Sequence, residues 1–353
     1  MKKSISLLVV LALILGVFWH FGGSSAEDAT EEDALAVAVV VSSAFGDKSF
    51  NDSALEGAER LKTELGVNVS YIECHNEGYK QKLMDAAEGA EVVVAVGMEC
   101  YEIAEVAPEF PDTRFLWLDH PAEGIADIPN LLCITYAQNE GSYLAGYIAA
   151  SMSETGVIGA VGGEDVNSVN DFMKGYSQGA KRANEEITVE IRYADGYDNP
   201  ESGKACALEL TGEGADVIFN VAGNSGTGIF QAAKENGFYA IGVDSDQKLT
   251  CPEYDEVILC SMKKEIGQSI YDTVVAYMED GTWNGAKVVL SDMKSGHISI
   301  AYGDENSVQL VSDELKTEVE ELAEKIMKDK IKVKTARKSC LQSRKLHEKF
   351  MEL

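Results

Sequence analysis

The fold is decided by the stretch Gly46-Asp47-Lys48-Ser49-Phe50-Asn51-Asp52, because the chain has a different pattern on each side of it. Before it, residues 35–41 are almost all apolar and rich in β-branched side chains, which is typical of a strand buried on both faces. After it, residues 53–65 carry apolar side chains at helical spacing, with Ser49 or Asn51 as the candidate N-cap. The stretch is therefore predicted to be a strand-to-helix turn at the carboxyl edge of a parallel sheet, where open α/β sheets bind ligands.

Phe50 is the informative residue of this turn. An aromatic ring in a short polar turn has no core of its own to enter, so it loses apolar burial unless something covers it. A ligand ring would cover it. The alternative is that Phe50 folds back onto its own helix as a hydrophobic staple. Spacing alone leaves both interpretations open.

The length and charge of the chain narrow the class of protein and of ligand. The sequence has 353 residues, with 30 Lys and Arg against 59 Asp and Glu, and a formal net charge of -29 at pH 7. A chain of this length predicts two lobes. The strong negative charge repels nucleic acid and anionic membrane surfaces and disfavours a polyphosphate ligand. A neutral small molecule is the favoured ligand.

The N-terminal residues have the pattern of a secretory signal. Lysines at positions 2 and 3 precede an apolar run over residues 5–21 and small residues at 22–26. We therefore expect an exported, extracytoplasmic protein at the cell surface or in the periplasm, with residues 1–26 as signal peptide and 27–34 as an acidic linker. An uncleaved anchor over residues 4–22 remains an alternative. No cysteine precedes Cys74, so this segment carries no lipidation site.

Cysteine and histidine usage points away from a metal centre or a cofactor. The seven cysteines include no C-x-x-C pair, and we interpret them as buried small hydrophobic residues. Export permits disulfides, and Cys251 with Cys260 is the nearest candidate pair. The five histidines are scattered without ligand spacing, so no metal site is predicted.

Strands and helices alternate along most of the chain, which predicts doubly wound parallel sheets. A second series begins near residue 140 and repeats the pattern of the first, which indicates two similar lobes joined by a hinge. We assign residues 35–137 and about 248–291 to the N-terminal lobe, and 138–247 and about 292–333 to the C-terminal lobe. Residues 334–353 form a basic tail, interpreted as a solvated, frayed end, with docking on the protein's own body or on anionic lipid as alternatives.

Polar groups follow several of the predicted strands. Asp119 and Asp244 lie at strand ends, and a glycine-rich turn begins at Gly223, where we expect a close approach of backbone to ligand. Carboxylates at the ends of buried strands are costly to desolvate unless paired, and vicinal sugar hydroxyls are one good partner. The alternatives are helix N-caps or a salt bridge across the cleft. Tyr197 is a second aromatic residue in a polar turn and would face Phe50, unless it lies on the surface.

These stretches together resemble the basic membrane protein family, the PnrA-like substrate-binding proteins of ABC transporters. The motifs that carry the resemblance are residues 46–52, 115–119, the turn at 223, 241–247 and 261–264. The similarity runs from about residue 35 to 333. It implies a type I periplasmic-binding-protein fold, with two doubly wound parallel-sheet α/β lobes joined by a hinge.

The resemblance also implies a receptor for purine nucleosides, namely adenosine, guanosine or inosine, that delivers its ligand to an ABC permease. Phe50 and Tyr197 would stack on the base, and Asn51 and Asp119 would hydrogen-bond its edge. Tyr197 stands where the family pattern is closer to phenylalanine, so its hydroxyl would alter the base preference.

For the sugar, the resemblance implies that Asp244 and Lys264 hold the ribose hydroxyls and that Gly223 contributes a backbone contact. The lipoprotein cysteine usual in the family is absent here. A cleft with Asp119, Asp244 and a single lysine would repel phosphate, which favours the nucleoside over the nucleotide.

The preferred interpretation is a monomeric binding protein without catalytic activity. A metal-dependent nucleoside hydrolase would need clustered aspartates, and Asp47 and Asp52 are too isolated for that. A phosphorylase would need an arginine or histidine phosphate site, which the sequence does not show. An anchored subunit that senses a nucleoside or another small ring compound is the main alternative. A DNA-binding repressor is excluded by the secretory start.

Overall fold

The computed structural model describes residues 34–119 and 127–336, and it contains two six-stranded sheets. The strands are β1 Ala36–Val41, β2 Asn68–Glu73, β3 Val92–Val96, β4 Arg114–Leu118, β5 Leu131–Tyr136, β6 Val157–Gly162, β7 Thr188–Tyr193, β8 Val217–Val221, β9 Tyr239–Asp244, β10 Ile258–Lys264, β11 Lys287–Ser291 and β12 Ile298–Ala301. The helices are α1 Phe50–Leu65, α2 Tyr79–Gly89, α3 Ile103–Val106, α4 Gln138–Met152, α5 Asn167–Ala183, α6 Pro200–Gly212, α7 Ser225–Asn236, α8 Gln247–Thr250, α9 Ile266–Asp280 and α10 Asp313–Met327.

The first sheet has the strand order β11-β5-β4-β3-β1-β2, and all its pairings are parallel. The second sheet has the order β12-β10-β9-β8-β6-β7 and is parallel except for β12, which runs antiparallel to β10. We call the first sheet with its helices the first lobe and the second sheet with its helices the second lobe. The predicted fold class, two doubly wound parallel-sheet lobes, is confirmed.

The apolar run before residue 46 forms a central strand of the first sheet. β1 lies between β2 and β3, and its residues Val37 to Val41 are at most 1% exposed. β-Branched side chains suit this position because helices cover both faces of such a sheet. The carboxyl end of β1 therefore opens directly into the turn that precedes α1.

The observed sheet order is inconsistent with one of the lobe boundaries that we predicted. We assigned about residues 248–291 to the N-terminal lobe, but β10 lies within that segment and pairs with β9 and β12 of the second sheet. The chain returns to the first lobe only at α9, which crosses α1 closely: a Cβ on Gly57 would lie 2.2 Å from the carbonyl oxygen of Gly267. β11 then pairs with β5 of the first sheet.

The prediction that the cysteines are buried small residues can be tested for the six cysteines that the structure describes. Cys74, Cys100, Cys133, Cys206, Cys251 and Cys260 are buried free thiols. Cys251 and Cys260, the candidate disulfide pair, are therefore not joined. Burial raises the pKa of Cys74 and of Cys251 to about 11, so both thiols stay protonated near neutral pH.

Both ends of the chain lie largely beyond the described residues. The predicted signal segment 1–26, all of the acidic linker except Ala34, and residues 337–353 of the basic tail fall outside them. The start of that tail is packed rather than frayed, because Gln178 on α5 exchanges two hydrogen bonds with the backbone of Lys334 and the Ala336 N–H donates to Asp171. Within the described ranges, no helix is long and apolar enough to cross a bilayer.

Candidate functional site

The turn before α1 is held by an aspartate that acts as the helix cap. We predicted Ser49 or Asn51 as the N-cap; Ser49 occupies that position, but its side chain does not cap the helix. Asp47 does so instead, because its carboxylate accepts hydrogen bonds from the backbone N–H groups of Ser49, Asn51 and Asp52 at 2.9–3.0 Å. Burial raises the pKa of Asp47 to about 6, although these hydrogen bonds act in the opposite direction and lower it.

Since Asp47 caps the helix, the side chain of Ser49 is available for a contact with the second lobe. Its hydroxyl donates to Oδ2 of Asp244 at 2.8 Å, and its carbonyl accepts from the Ser245 hydroxyl at 3.1 Å. The neighbouring carbonyl of Lys48 accepts from Nε2 of Gln247 at 3.1 Å. The turn that follows β1 thus joins the turn that follows β9, and the two lobes meet at the carboxyl ends of their parallel strands.

A cavity of about 370 Å³ lies at this junction and is lined by residues of both lobes. Its volume falls in the range of roughly 300–1,000 Å³ that is typical of small-molecule sites. All seven residues predicted as ligand contacts line it. They are Phe50, Asn51, Asp119, Tyr197, Gly223, Asp244 and Lys264.

Lys264 is the electrostatic centre of the cavity. It is 3% exposed, and its Nζ lies 2.8 Å from Oδ2 of Asp119 and 3.6 Å from Oδ1 of Asp244. Asp119 belongs to the first lobe and Lys264 to the second, so this is the salt bridge across the cleft that we gave as an alternative. Burial raises the pKa of Asp244, while the charge of Lys264 and the hydroxyl of Ser49 lower it.

Both aspartates are in the left-handed region of backbone conformation, with φ of 64° at Asp119 and 63° at Asp244. Non-glycine residues rarely adopt this region, and aspartate tolerates it better than most. Each residue lies where a buried strand of the sheet ends, so the chain turns sharply there. The turn directs two carboxylates from different lobes toward one ammonium group.

Three aromatic rings surround the same ammonium group. Its nitrogen lies 4.6 Å from the ring centroid of Phe50, 5.1 Å from that of Phe172 and 5.7 Å from that of Tyr136. These distances are within the range of cation–π attraction. Phe50 also packs partly against the core, so the ring contributes to both the cavity wall and the packing of the fold.

Tyr197 lines the cavity from the second lobe and is seated on two glycines. A Cβ at Gly163 would lie 2.2 Å from Cε1 of the Tyr197 ring. Gly223 has a φ of 54°, and a Cβ there would lie 3.2 Å from the carbonyl oxygen of Tyr197. Phe50 and Tyr197 line the same cavity, but no ring contact joins them among the residues described.

Sequence reasoning missed several lining residues. Glu99 follows β3 directly after Gly97 and Met98, so the strand-end rule that selected Asp119 applies to it as well. Burial raises the pKa of Glu99. Phe172 had no comparable signal, because its position on the apolar face of α5 is the pattern of an ordinary core residue.

Two parallel-sheet lobes with an aromatic-lined cavity at their junction are the architecture of solved solute-binding proteins of the periplasmic type. A solved ABC transporter solute-binding protein from Aeropyrum pernix K1 superposes with a TM-score of 0.76 at 24% identity, covering 89% of this chain and 97% of that one. A second such protein, from Conexibacter woesei, gives a TM-score of 0.72 at 25% identity, covering 86% of this chain and all (100%) of that one.

The chain belongs to the PnrA-like family of ABC transporter substrate-binding proteins, whose family model matches residues 34–337. It is 31% identical to basic membrane protein A2 of Borrelia garinii subsp. bavariensis over 97% of this chain and 99% of that protein. It is 29% identical to the ABC transporter nucleoside-binding protein BmpA of Lactococcus lactis subsp. cremoris, over 89% of this chain and 95% of that protein. The family resemblance predicted from the five motifs is confirmed.

Proposed function

We propose that this protein captures a purine nucleoside, adenosine, guanosine or inosine, between its two lobes and delivers it to an ABC permease outside the cytoplasm. The observation that carries the proposal is that all seven residues chosen for nucleoside contact line one cavity at the junction of the lobes. The relative in Lactococcus lactis, which is named as nucleoside-binding, supports the ligand class. The signal-like N-terminus supports a place outside the cytoplasm.

The rings of Phe50 and Tyr197 would receive the base. Both rings line the cavity, one from each lobe. A flat ring bound between them would contact both. Stacking of a base on an aromatic side chain contributes roughly 1–3 kcal/mol per base. Asn51 and Asp119 would hydrogen-bond the edge of the base, and both belong to the first lobe.

Asp244 and Lys264 would hold the ribose hydroxyls. Their carboxylate and ammonium groups lie 3.6 Å apart, so the carboxylate can accept a hydrogen bond from one hydroxyl and the ammonium group can donate one to its neighbour. Lys264 is the only lysine or arginine among the described lining residues, whereas Asp47, Glu99 and Glu164 add further carboxylates to the lining. A phosphate group would meet this excess of negative charge. The cavity therefore favours nucleosides over nucleotides.

Ligand binding would stabilise the closed arrangement of the lobes. A nucleoside that contacts Phe50 and Asn51 in the first lobe and Tyr197 and Asp244 in the second binds the closed form better than an open one. That difference in affinity is what shifts the population toward closure. The closed form is then the one presented to the permease. We expect binding without any chemical conversion of the nucleoside.

The test is a calorimetric titration of the full chain after unfolding and refolding to remove carried ligand. We expect saturable binding of adenosine, guanosine or inosine, and no binding of adenosine monophosphate or free ribose. Phe50→Ala should weaken binding by ten- to a hundredfold. Tyr239→Ala is the matched control, because this ring is 37% exposed at the opposite end of β9 and does not line the cavity.

Three results would count against the proposal. Absence of binding to every purine nucleoside would remove the ligand assignment while leaving the family membership intact. Hydrolysis or phosphorolysis of a nucleoside above a buffer control would contradict a purely receptor function. Equal losses for Phe50→Ala and Tyr239→Ala would remove Phe50 from the base contact.

A further inference from the structure

The last described residues of the chain pack along α5. The side-chain amide of Gln178 exchanges two hydrogen bonds of 2.9 Å with the backbone of Lys334. The Thr335 hydroxyl and the Ala336 N–H both donate to Oδ1 of Asp171, at 2.5 and 2.8 Å. Asp171 lies about two turns nearer to the start of α5 than Gln178 does. The chain therefore runs antiparallel to α5, toward the end at which this helix begins.

That end of α5 lies at the cavity. Ser168 is one turn before Asp171 on the same side of the helix, and it lines the cavity together with Glu164, which precedes the helix. The helix begins about one turn, or roughly 6 Å, before Asp171. Two extended residues span about 7 Å, so the next residues in the sequence, Arg337 and Lys338, are long enough to reach the mouth of the cavity.

The mouth carries carboxylates that no described cation neutralises. Glu164, Asp165 and Asp198 are exposed, and we call these three residues the acidic rim. Glu164 and Asp198 line the cavity, and all three follow strands of the second sheet. Asp165 and Asp198 each accept a hydrogen bond of 2.7 Å from a neutral amide, that of Asn170 or Asn224. Within residues 34–119 and 127–336, no lysine, arginine or histidine forms a salt bridge with the acidic rim.

The part of the chain that comes next is basic. Residues 337–353 contain five lysines and arginines against two glutamates, or +3, whereas the whole chain carries -29. A segment that begins beside the acidic rim has a high effective concentration there, on the order of millimolar for a short flexible link. An anionic membrane, by contrast, is repelled by the negative charge of the rest of the protein. Charge and tethering therefore both favour the acidic rim over a lipid surface.

We propose that residues 337–353 dock on the acidic rim and partly cover the mouth of the cavity. This is the docking on the protein's own body that we gave as an alternative for the basic tail. One exposed ion pair contributes little, whereas several cations tethered beside three carboxylates act together. Because Glu164 and Asp198 line the cavity, a ligand of any kind would pass the docked segment as it enters and leaves. The inference goes beyond the proposed function and does not depend on the identity of the ligand.

The experiment is carbodiimide cross-linking of the full chain, followed by peptide mapping with mass spectrometry. The reagent joins a lysine amine directly to a carboxylate, so it reports only groups in contact. At low salt we expect Lys338, Lys345 and Lys349 to be joined to the acidic rim within one molecule, with a yield independent of protein concentration. The yield should fall at least about tenfold in about 1 M salt, where charges are screened beyond about 3 Å. The surface pair Lys80 and Glu105, 2.8 Å apart in the first lobe, reports the efficiency of the reaction in each sample.

A variant with altered charge separates docking from chance contact. Arg337→Gln combined with Arg344→Gln removes two charges of the segment and no reactive lysine, and it should lower the yield of cross-links to the acidic rim several-fold at low salt. Arg182→Gln is the matched control, because this exposed arginine lies in the last turn of α5, at the end away from the acidic rim. It should leave the yield unchanged.

Three results would overturn the inference. Cross-links spread over carboxylates of the whole surface and insensitive to salt would show contact without docking. Cross-links formed only between molecules would assign the segment to a second copy of the chain. Cosedimentation with phosphatidylglycerol vesicles, with no cross-links to the acidic rim in their absence, would assign it to an anionic lipid surface. None of these samples contains a nucleoside, so the proposed function stands or falls separately.

Discussion

The substitution Lys264→Met tests whether the buried ammonium group holds the two lobes together. Methionine is close to lysine in length and shape but carries no charge. The substitution removes the 2.8 Å contact with Asp119 in the first lobe and the 3.6 Å contact with Asp244 in the second. It leaves the buried carboxylate of Asp244 and the mostly buried carboxylate of Asp119 without a cation between them.

The magnitude follows from burial. Lys264 is 3% exposed, and removing one partner of a buried ion pair typically costs about 3–5 kcal/mol because the other charge is left uncompensated. The adjacent Lys263→Met is the matched control. The side chain of Lys263 is 29% exposed and pairs with Glu265 at 2.7 Å, and such partly exposed pairs contribute about 0–1 kcal/mol. The two neighbouring lysines should therefore differ by about 2–5 kcal/mol.

The assay is urea unfolding of the ligand-free protein at pH 7 and at pH 5, with the free energy of unfolding obtained by linear extrapolation. Burial already raises the pKa of Asp244, and loss of the lysine charge raises it further. A group whose pKa is higher in the folded state stabilises the fold below its unfolded pKa and loses that contribution as pH rises through the folded value. The loss caused by Lys264→Met should therefore be smaller at pH 5 than at pH 7.

Two results would refute this reasoning. A loss of free energy for Lys264→Met no greater than that for Lys263→Met would show that the buried contacts contribute little. A loss of the same size at pH 7 and pH 5 would show that it does not come from the unpaired carboxylates.

Two further predictions concern packing and pH. Gly146→Ala should destabilise the protein by several kcal/mol in urea unfolding, because a Cβ there would lie 2.0 Å from the carbonyl oxygen of Tyr176. The control Gly89→Ala, at an open helical position, should stabilise the protein by about 0.5–1 kcal/mol. Equal effects of the two substitutions would contradict the close helix crossing. The pKa of Asp47 is raised from 3.8 to about 6, so its stabilising contribution is present below pH 4 and lost as pH rises through 6. Between pH 4 and pH 7 the unmodified protein should lose about 2 kcal/mol relative to Asp47→Asn, and parallel pH profiles would argue against the raised pKa.

Local patterns were sufficient for most of the architecture. The apolar run at residues 35–41 predicted a buried strand, and β1 is observed at Ala36–Val41. Such runs report burial on both faces, which is a property of the strand itself. The second series of strands and helices predicted a second lobe for the same reason. The boundary near residue 248 was wrong because the pattern of β10 identifies a buried strand without saying which sheet contains it.

The lining of the cavity could be predicted only in part. Asp119 and Asp244 follow buried strands, and the carboxyl ends of parallel strands meet at one edge, so their convergence could be expected. The rule would have found Glu99 also, had it been applied to β3. Phe172 could not be found, because a phenylalanine on the apolar face of a helix has the same pattern whether it meets core or cavity.

The amino-acid sequence alone was enough for two parallel α/β lobes and for the strand ends that carry polar groups, because periodicity and turn chemistry are properties of short segments. Only the tertiary structure decides that Lys264 meets Asp119, which lies 145 positions earlier in the chain and in the other lobe. It also decides that Asp47 rather than Ser49 caps α1. These outcomes depend on which groups compete for the same donors and acceptors after folding, and no local pattern records that competition.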